Sequence, residues 1–161
     1  AETGLNGILE NCRSVLTTAR RRGVPIAFVR QVTSGGQRSE TRRYPRWFTG
    51  FEPTRSDMVF DRQGASCYSS SEFANMASHS AGHFVLAGLF GETSCLPTLV
   101  DAYQRGHRFT YLIDASGSRA DGPTAAAEMH RAVAHLAAVY ANVTLTSTWL
   151  NAEVARRGAA R

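Results

Sequence analysis

The stretch GLFGETSCLPTLVDAYQRGHRFTYLIDAS, residues Gly88 to Ser116, changes its hydrophobic period twice, and those changes decide the fold. It begins at the end of an apolar run, Phe84 to Leu89, interrupted only by Gly88. Leu96, Leu99, Val100 and Tyr103 then recur at helical spacing, and residues 108–114 return to a β-rich apolar run. The pattern predicts a strand over 83–90, a helix over 94–105 and a strand over 108–114. Pro97 suits the first turn of that helix, where a missing N–H costs nothing. Between strand and helix stand Glu92, Thr93, Ser94 and Cys95 side by side.

The same alternation extends outward. Leu5, Ile8, Leu9, Cys12, Val15, Leu16 and Ala19 predict a helix over 5–21, stopped by Gly23 and Pro25. Pro25 to Arg30 reads as a buried strand, and Met58 to Phe60 as a second one ending in Asp61, Arg62 and Gln63. Residues 32–55 have no period but hold Arg38, Arg42, Arg43, Arg46, Trp47, Phe48 and Phe51, and are expected to form an ordered lid. Ser69 to Glu72 matches a capping box opening a helix to about Ser80. A helix over Thr124–Ala141, a strand over Val143–Trp149 and a terminal helix over Leu150–Arg157 complete the order. Strands alternating with helices at this spacing imply parallel pairing through right-handed crossovers. The expected fold is a three-layer α/β/α sandwich with a mainly parallel sheet, a single domain over residues 1–161. Ligands of such sheets sit beyond the carboxyl ends of the strands, which selects 30–55, 61–69, 90–95 and 114–121.

Composition narrows the class. Eighteen basic against 13 acidic residues give a formal charge of +5, which attracts anionic ligands without compelling nucleic-acid binding. The arginines of 38–46 come with no nucleic-acid recognition motif, so no nucleic-acid partner is expected. Cys12, Cys67 and Cys95 show no CxxC spacing, which argues against a disulfide framework and a zinc knuckle and points to a reducing compartment. No run is long enough to span a membrane and no charged-then-apolar leader opens the chain, so a cytoplasmic protein without a membrane partner is expected.

At a helix's first turn, unpaired N–H groups and the dipole favour an anion and lower a thiol's pKa, which makes Ser94 or Cys95 a candidate nucleophile. The plainer alternatives are an N-cap for the serine and a small core residue for the cysteine. Arg62 can hold a carboxylate through a bidentate fork, or be a surface arginine. Asp61 and Asp114 read as caps at strand ends. His130 and His135, five apart on a helix, are poorly spaced as ligands, and no metal or other cofactor is expected.

Three segments together resemble the isochorismatase-like hydrolases, also called cysteine hydrolases, over nearly the whole chain: ARRRGVPIAFVRQ, RQGASCYSSSEF and the Gly88–Ser116 stretch. The last follows the family's Gly-x-x-x-x-x-Cys-x-x-x-Thr-x-x-Asp-Ala pattern through Gly88, Thr98, Asp101, Ala102 and Gly106. The resemblance places the family nucleophile on Ser94, with Cys95 one position late, and the family lysine on Arg62. True isochorismatases are similar in lacking a cysteine there; they protonate a vinyl ether and let water add. The family acid, an Asp in an Asp-x-Gln motif, ends a first strand ahead of helix one, and this chain begins only a few residues before that helix. A family sheet ordered 3-2-1-4-5-6 would then lack a central strand, supplied by an N-terminal segment or by another chain.

What the resemblance implies is a hydrolase of a small anionic, amide-bearing or vinyl-ether metabolite, or a catalytically impaired ligand-binding module on the same scaffold. Catalytic candidates are Arg62, Ser94 and Cys95; substrate-binding candidates are Arg46, Trp47, Phe48, Tyr68, Phe90, Glu92 and Thr93. A non-proline cis bond in the Glu92–Thr93 turn is a further family feature to expect. Members form dimers or larger assemblies, so a homodimer or higher homo-oligomer is expected, with the Ala125–Tyr140 helix as one surface for it.

Overall fold

The apolar period of the first segment becomes helix α1, Leu5–Arg22, which ends where Gly23 turns left-handed (φ 64°) and its N–H closes on Ala19 O and Arg20 O. Arg20, Arg21 and Arg22 occupy the last turn, where the helix dipole favours positive charge. The computed structural model describes residues 4–34, 42–80 and 82–158. Within these, the elements follow as β1 (Ala27–Gln31), β2 (Thr33–Ser34), β3 (Arg42–Arg43), β4 (Met58–Arg62), α2 (Ser71–His79) and β5 (His83–Leu89). Then come α3 (Leu96–Gln104), β6 (Arg108–Gly117), α4 (Ala126–Tyr140), β7 (Asn142–Thr144) and α5 (Thr146–Gly158).

The parallel sheet is in two pieces. β1 pairs with β4 in parallel register, Ala27 opposite Met58 through Gln31 opposite Arg62. β5, β6 and β7 form a second parallel ladder, with a register shift between Leu86 and Gly88. Among the described strands no ladder joins β1 to β5, as expected for a sheet short of a central strand. Burial agrees: Phe109, Thr110, Tyr111 and Leu112 of β6 are at most 5% exposed, whereas Val85 of β5 is 37% exposed. A strand inside an α/β sheet is covered on both faces, so β5 has the exposure of an edge. Hydrogen exchange should therefore find the β6 amides of 109–112 strongly protected and the β5 amides that do not donate to β6 exchanging rapidly; uniform protection along β5 would show that its second edge is paired.

One core ties the pieces together. Tyr68, Phe73, Leu99, Phe109, Tyr111 and Val133 form it under α2, α3 and α4, and Val29 and Phe60 of the β1–β4 ladder pack against it. On the other side, α1 docks on β6 through Asn11 Nδ2 to Asp114 O (2.8 Å) and Cys12 Sγ to Ala115 O (3.2 Å). It also reaches the other piece through the Arg20–Asp57 ion pair at 2.7 Å, and α5 through Arg22–Glu153 at 3.5 Å. No helix of the described residues is long and apolar enough to cross a membrane.

Several boundaries differ from the sequence reading: β6 runs on to Gly117 instead of ending at 114, α5 starts at Thr146 instead of Leu150, and two of the differences have a visible cause. The strand expected over 143–149 is only Asn142–Thr144, because Asp114 Oδ1 accepts from both Thr146 N and Thr146 Oγ1 at 2.7 Å and starts α5 there. The cap of α2 is Ser70, whose Oγ accepts from Phe73 N at 3.4 Å; Ser69 Oγ instead donates to Ser66 O and accepts from Gly64 N. In the lid region, Thr33–Ser34 and Arg42–Arg43 form a short antiparallel ribbon; Arg38 lies outside the described residues.

Candidate active site

Arg62 ends β4 and Ser94 follows β5, and the structure brings them into contact. Arg62 is 7% exposed. Its Nη1 donates to Gly64 O and, at 2.7 Å, to Ala65 O, while Nη2 donates to Ser94 Oγ at 2.7 Å. The guanidinium is a fixed cation, so Ser94 Oγ sits in a positive local field.

The turn carrying Ser94 is a single π-helical turn, Gly91–Cys95, running directly into α3. Such turns recur at functional positions. Phe90 precedes it with φ 62°, the one non-glycine positive φ among the described residues. Its carbonyl accepts from Thr93 N (3.2 Å) and Ser94 N (2.8 Å), so those two amides face their own turn and are not free for a ligand. Positive charge at Ser94 thus comes from Arg62 rather than from these amides. Thr98 Oγ1 donates to Ser94 O (2.8 Å) and accepts from Cys67 N (3.0 Å), locking the turn to the loop after β4. No cis peptide occurs among the described residues, so the turn gets its shape from Phe90.

Gly91 backs onto the core. A Cβ there would lie 2.9 Å from Tyr111 Oη and 3.2 Å from both Ser118 Oγ and Val133 Cγ1. Gly91→Ala is expected to cost about 1–3 kcal/mol through overpacking, read as a lowered urea midpoint; an unchanged midpoint would mean the turn shifts freely.

Several expected site residues are elsewhere. Cys95 is 4% exposed, with Sγ directed at Gly88 O (3.8 Å), so it faces the core. Burial pushes its thiol up to about 12, and burial likewise raises Cys67. Neither thiol is a thiolate at neutral pH. Cys12 is pushed up to about 11 by burial, then by Asp114. Raised thiol values mean that the fold keeps its full stability below the ordinary thiol value of 9.0 and loses it as pH climbs toward 12. Urea midpoints should therefore hold below pH 9 and fall above it; a midpoint flat from pH 8 to 11 would contradict this burial.

Tyr68 is also a correction. Ser66 caps its N–H (3.1 Å) in the turn Cys67–Ser69 and sends the ring inward, where its hydroxyl meets His107 Nδ1 at 2.6 Å and its edge meets Phe73 at 5.1 Å. Trp47 packs on Phe28 (5.5 Å) and under Arg30 (5.2 Å), and Arg30 pairs with Asp61 at 2.6 Å. By strand alternation Phe28, Arg30 and Asp61 lie on the ladder face opposite Val29, Phe60 and Arg62. The lid tryptophan is thus anchored on the far face from the Arg62 side chain, while Arg46 and Phe48 are exposed to solvent. A hollow of about 490 Å³ opens beside β4, lined by Asp61, Gln63, Ser70 and Glu72 among others, but neither Arg62 nor Ser94 lines it.

Phe90, Glu92 and Thr93 do stay with Ser94 in one turn, Thr93 exposed and Phe90 41% exposed. A residue the sequence reading did not single out joins them. Arg119 lies with Cζ 4.6 Å over the Phe90 ring and contacts Glu92 Oε1 through its backbone N (3.4 Å) and Nε (3.5 Å). The only sequence signal was its position in 114–121, beyond the end of β6.

The isochorismatase domain pattern matches residues 1–147. The chain belongs to the isochorismatase family. Solved structures agree on the fold of this isochorismatase domain. An isochorismatase from Pseudomonas putida superposes with a TM-score of 0.77 at 22% identity, over 91% of this chain and 79% of that one. A cysteine hydrolase from Pseudomonas syringae pv. phaseolicola gives 0.82 at 17% identity, over 93% and 81%. N-carbamoylsarcosine amidase from Thermoplasma acidophilum gives 0.67 at 20% identity, over 91% and 86%. No curated protein sequence matches the chain.

Proposed function

We propose that this isochorismatase domain hydrolyses a small anionic metabolite bearing an amide or a vinyl ether, in the crevice beyond the carboxyl ends of β4 and β5. The observation that carries this reading is the 2.7 Å bond from Arg62 Nη2 to Ser94 Oγ. A cationic donor on the serine oxygen occupies a lone pair and leaves the hydroxyl's own hydrogen for a substrate oxygen or nitrogen. A serine that attacks needs a base within reach. Among the described residues no histidine or carboxylate is bonded to Ser94 Oγ. Ser94 therefore acts in this reading as a polarised hydrogen-bond donor with water as the nucleophile, stabilising the oxyanion formed when water adds to an amide, or holding a substrate oxygen while a vinyl ether is protonated at carbon and captured by water.

In this reading the proton comes from a carboxylic acid on a further strand that pairs with β1 and β5, each of which has a single parallel partner among the described strands. Relatives named as an isochorismatase and as an N-carbamoylsarcosine amidase support a vinyl ether or an amide as the bond broken. Self-association belongs to the same proposal, because Leu136 and Val139 of α4 are 47% and 63% exposed. The test is turnover of isochorismate, nicotinamide and N-carbamoylsarcosine by the protein and by Ser94→Ala. Product that disappears with the hydroxyl supports the reading, and product formed equally without it sinks it. A second reading, a ligand-binding module, is favoured because no histidine or carboxylate among the described residues is bonded to Ser94 Oγ; it prevails if these ligands bind and none is turned over.

A further inference from the structure

The proposed reading needs something to hold an anion, and Arg62 is badly placed for that. It is 7% exposed, and its terminal nitrogens already serve Gly64 O, Ala65 O and Ser94 Oγ. The amides of Thr93 and Ser94 are bonded to Phe90 O. Arg119 is in the opposite condition. Its side chain is 61% exposed, and its contacts to Glu92 use only the backbone N and Nε, so both terminal nitrogens are without an acceptor among the described residues.

Arg119 is nonetheless held in place. Glu92 Oε1 faces it, and Glu92 Oε2 is buried without a hydrogen-bond partner among the described residues, so the nearby guanidinium is the compensation those residues offer this carboxylate. The Phe90 ring lies under the guanidinium at 4.6 Å, a cation–π geometry. Phe90 also occupies a left-handed position (φ 62°) that glycine would fill without strain. A bulky residue kept at a strained position next to a candidate site points to a use for its side chain. With 41% of the residue exposed, the ring offers a flat apolar surface beside a cation with two free donors.

Building on the hydrolase reading, we infer that Arg119 anchors the substrate's carboxylate, its terminal nitrogens gripping the two oxygens while Phe90 covers the plane of a conjugated or cyclic carbon skeleton. The ligand class is a planar carboxylate, which matches the fork of a guanidinium in a way that a lysine cannot. The anchor touches Phe90 and Glu92, which precede Ser94 in the same turn, so cation and hydroxyl are carried by one short segment.

Benzoate and its neutral counterpart benzamide are suitable probes, followed by amide chemical shifts in isotopically labelled full-length chain. Benzoate is expected to shift the amides of Phe90, Glu92 and Ser94. Arg119→Ala should weaken it by about tenfold or more, Arg119→Lys by less, and Phe90→Ala by a few-fold. Benzamide should bind more weakly and respond little to the Arg119 variants. Benzoate binding unchanged in Arg119→Ala, equal affinity for the two probes, or no shifts in the turn would each overturn the inference. Arg119→Ala also leaves Glu92 without its cation, so the urea midpoint is read beside the binding, and Arg119→Lys, which keeps a charge next to that carboxylate, is the control. Weaker benzoate binding at an unchanged midpoint supports the inference, and unchanged binding overturns it. Because binding is read without turnover, such a failure leaves the hydrolase reading standing; that reading falls only with the Ser94→Ala turnover assay.

Discussion

Replacing Arg62 by Met is expected to lose about 3 kcal/mol of folding stability and to cut turnover on the order of a hundredfold to a thousandfold. The side chain is almost fully buried and serves two backbone carbonyls and the Ser94 hydroxyl from one cation. Hydrogen bonds to a charged donor are worth about 1.5–3 kcal/mol each, and bonds made by a single group do not add independently. The loop after β4 loses one of its two ties to the turn after β5 and keeps only the bridge through Thr98, so both segments loosen together. Arg62→Lys should recover part of the stability, because one ammonium cannot reproduce the planar fork. Urea unfolding and steady-state rates check this; a variant as stable and as active as the parent would place Arg62 outside the site.

The second large effect separates Ser94 from Cys95. Ser94→Ala should cut turnover by about a hundredfold or more and cost about 1–3 kcal/mol of stability, because Arg62 Nη2 is left without that acceptor. Cys95→Ala should cost on the order of 1–2 kcal/mol from a small core cavity while keeping turnover within about threefold. The thiol is 4% exposed and burial holds it protonated, so iodoacetamide at pH 8 should label Cys95 only after unfolding. Rapid labelling of the folded protein, with turnover lost in step, would instead make Cys95 the nucleophile.

The layered α/β order was legible because it rests on local signals. The period of Leu5 to Ala19 with Gly23 after it predicts α1 to within a residue, Leu5–Arg22. Where a boundary depends on a distant partner, local pattern misleads: β7 is short because Asp114 captures Thr146, 32 residues away. The same reason hid parts of the site. Nothing near Tyr68 in the chain says that His107 waits for its hydroxyl, and nothing near Trp47 says that Phe28 and Arg30 will hold it on the far face of the ladder. Arg119 meets Glu92 across 27 residues, a relation with no trace in spacing. The meeting of Arg62 with Ser94 was foreseeable, since each lies at or just past the carboxyl end of a parallel strand.

The most direct test is a double-mutant cycle on Arg62 and Ser94, reading kcat/KM for whichever of isochorismate, nicotinamide or N-carbamoylsarcosine is turned over. If the guanidinium acts through the serine oxygen 2.7 Å away, Arg62→Lys should harm little more once Ser94 is already alanine. Losses that multiply in full would mean that the two side chains act separately, and would contradict the shared site on which this account rests.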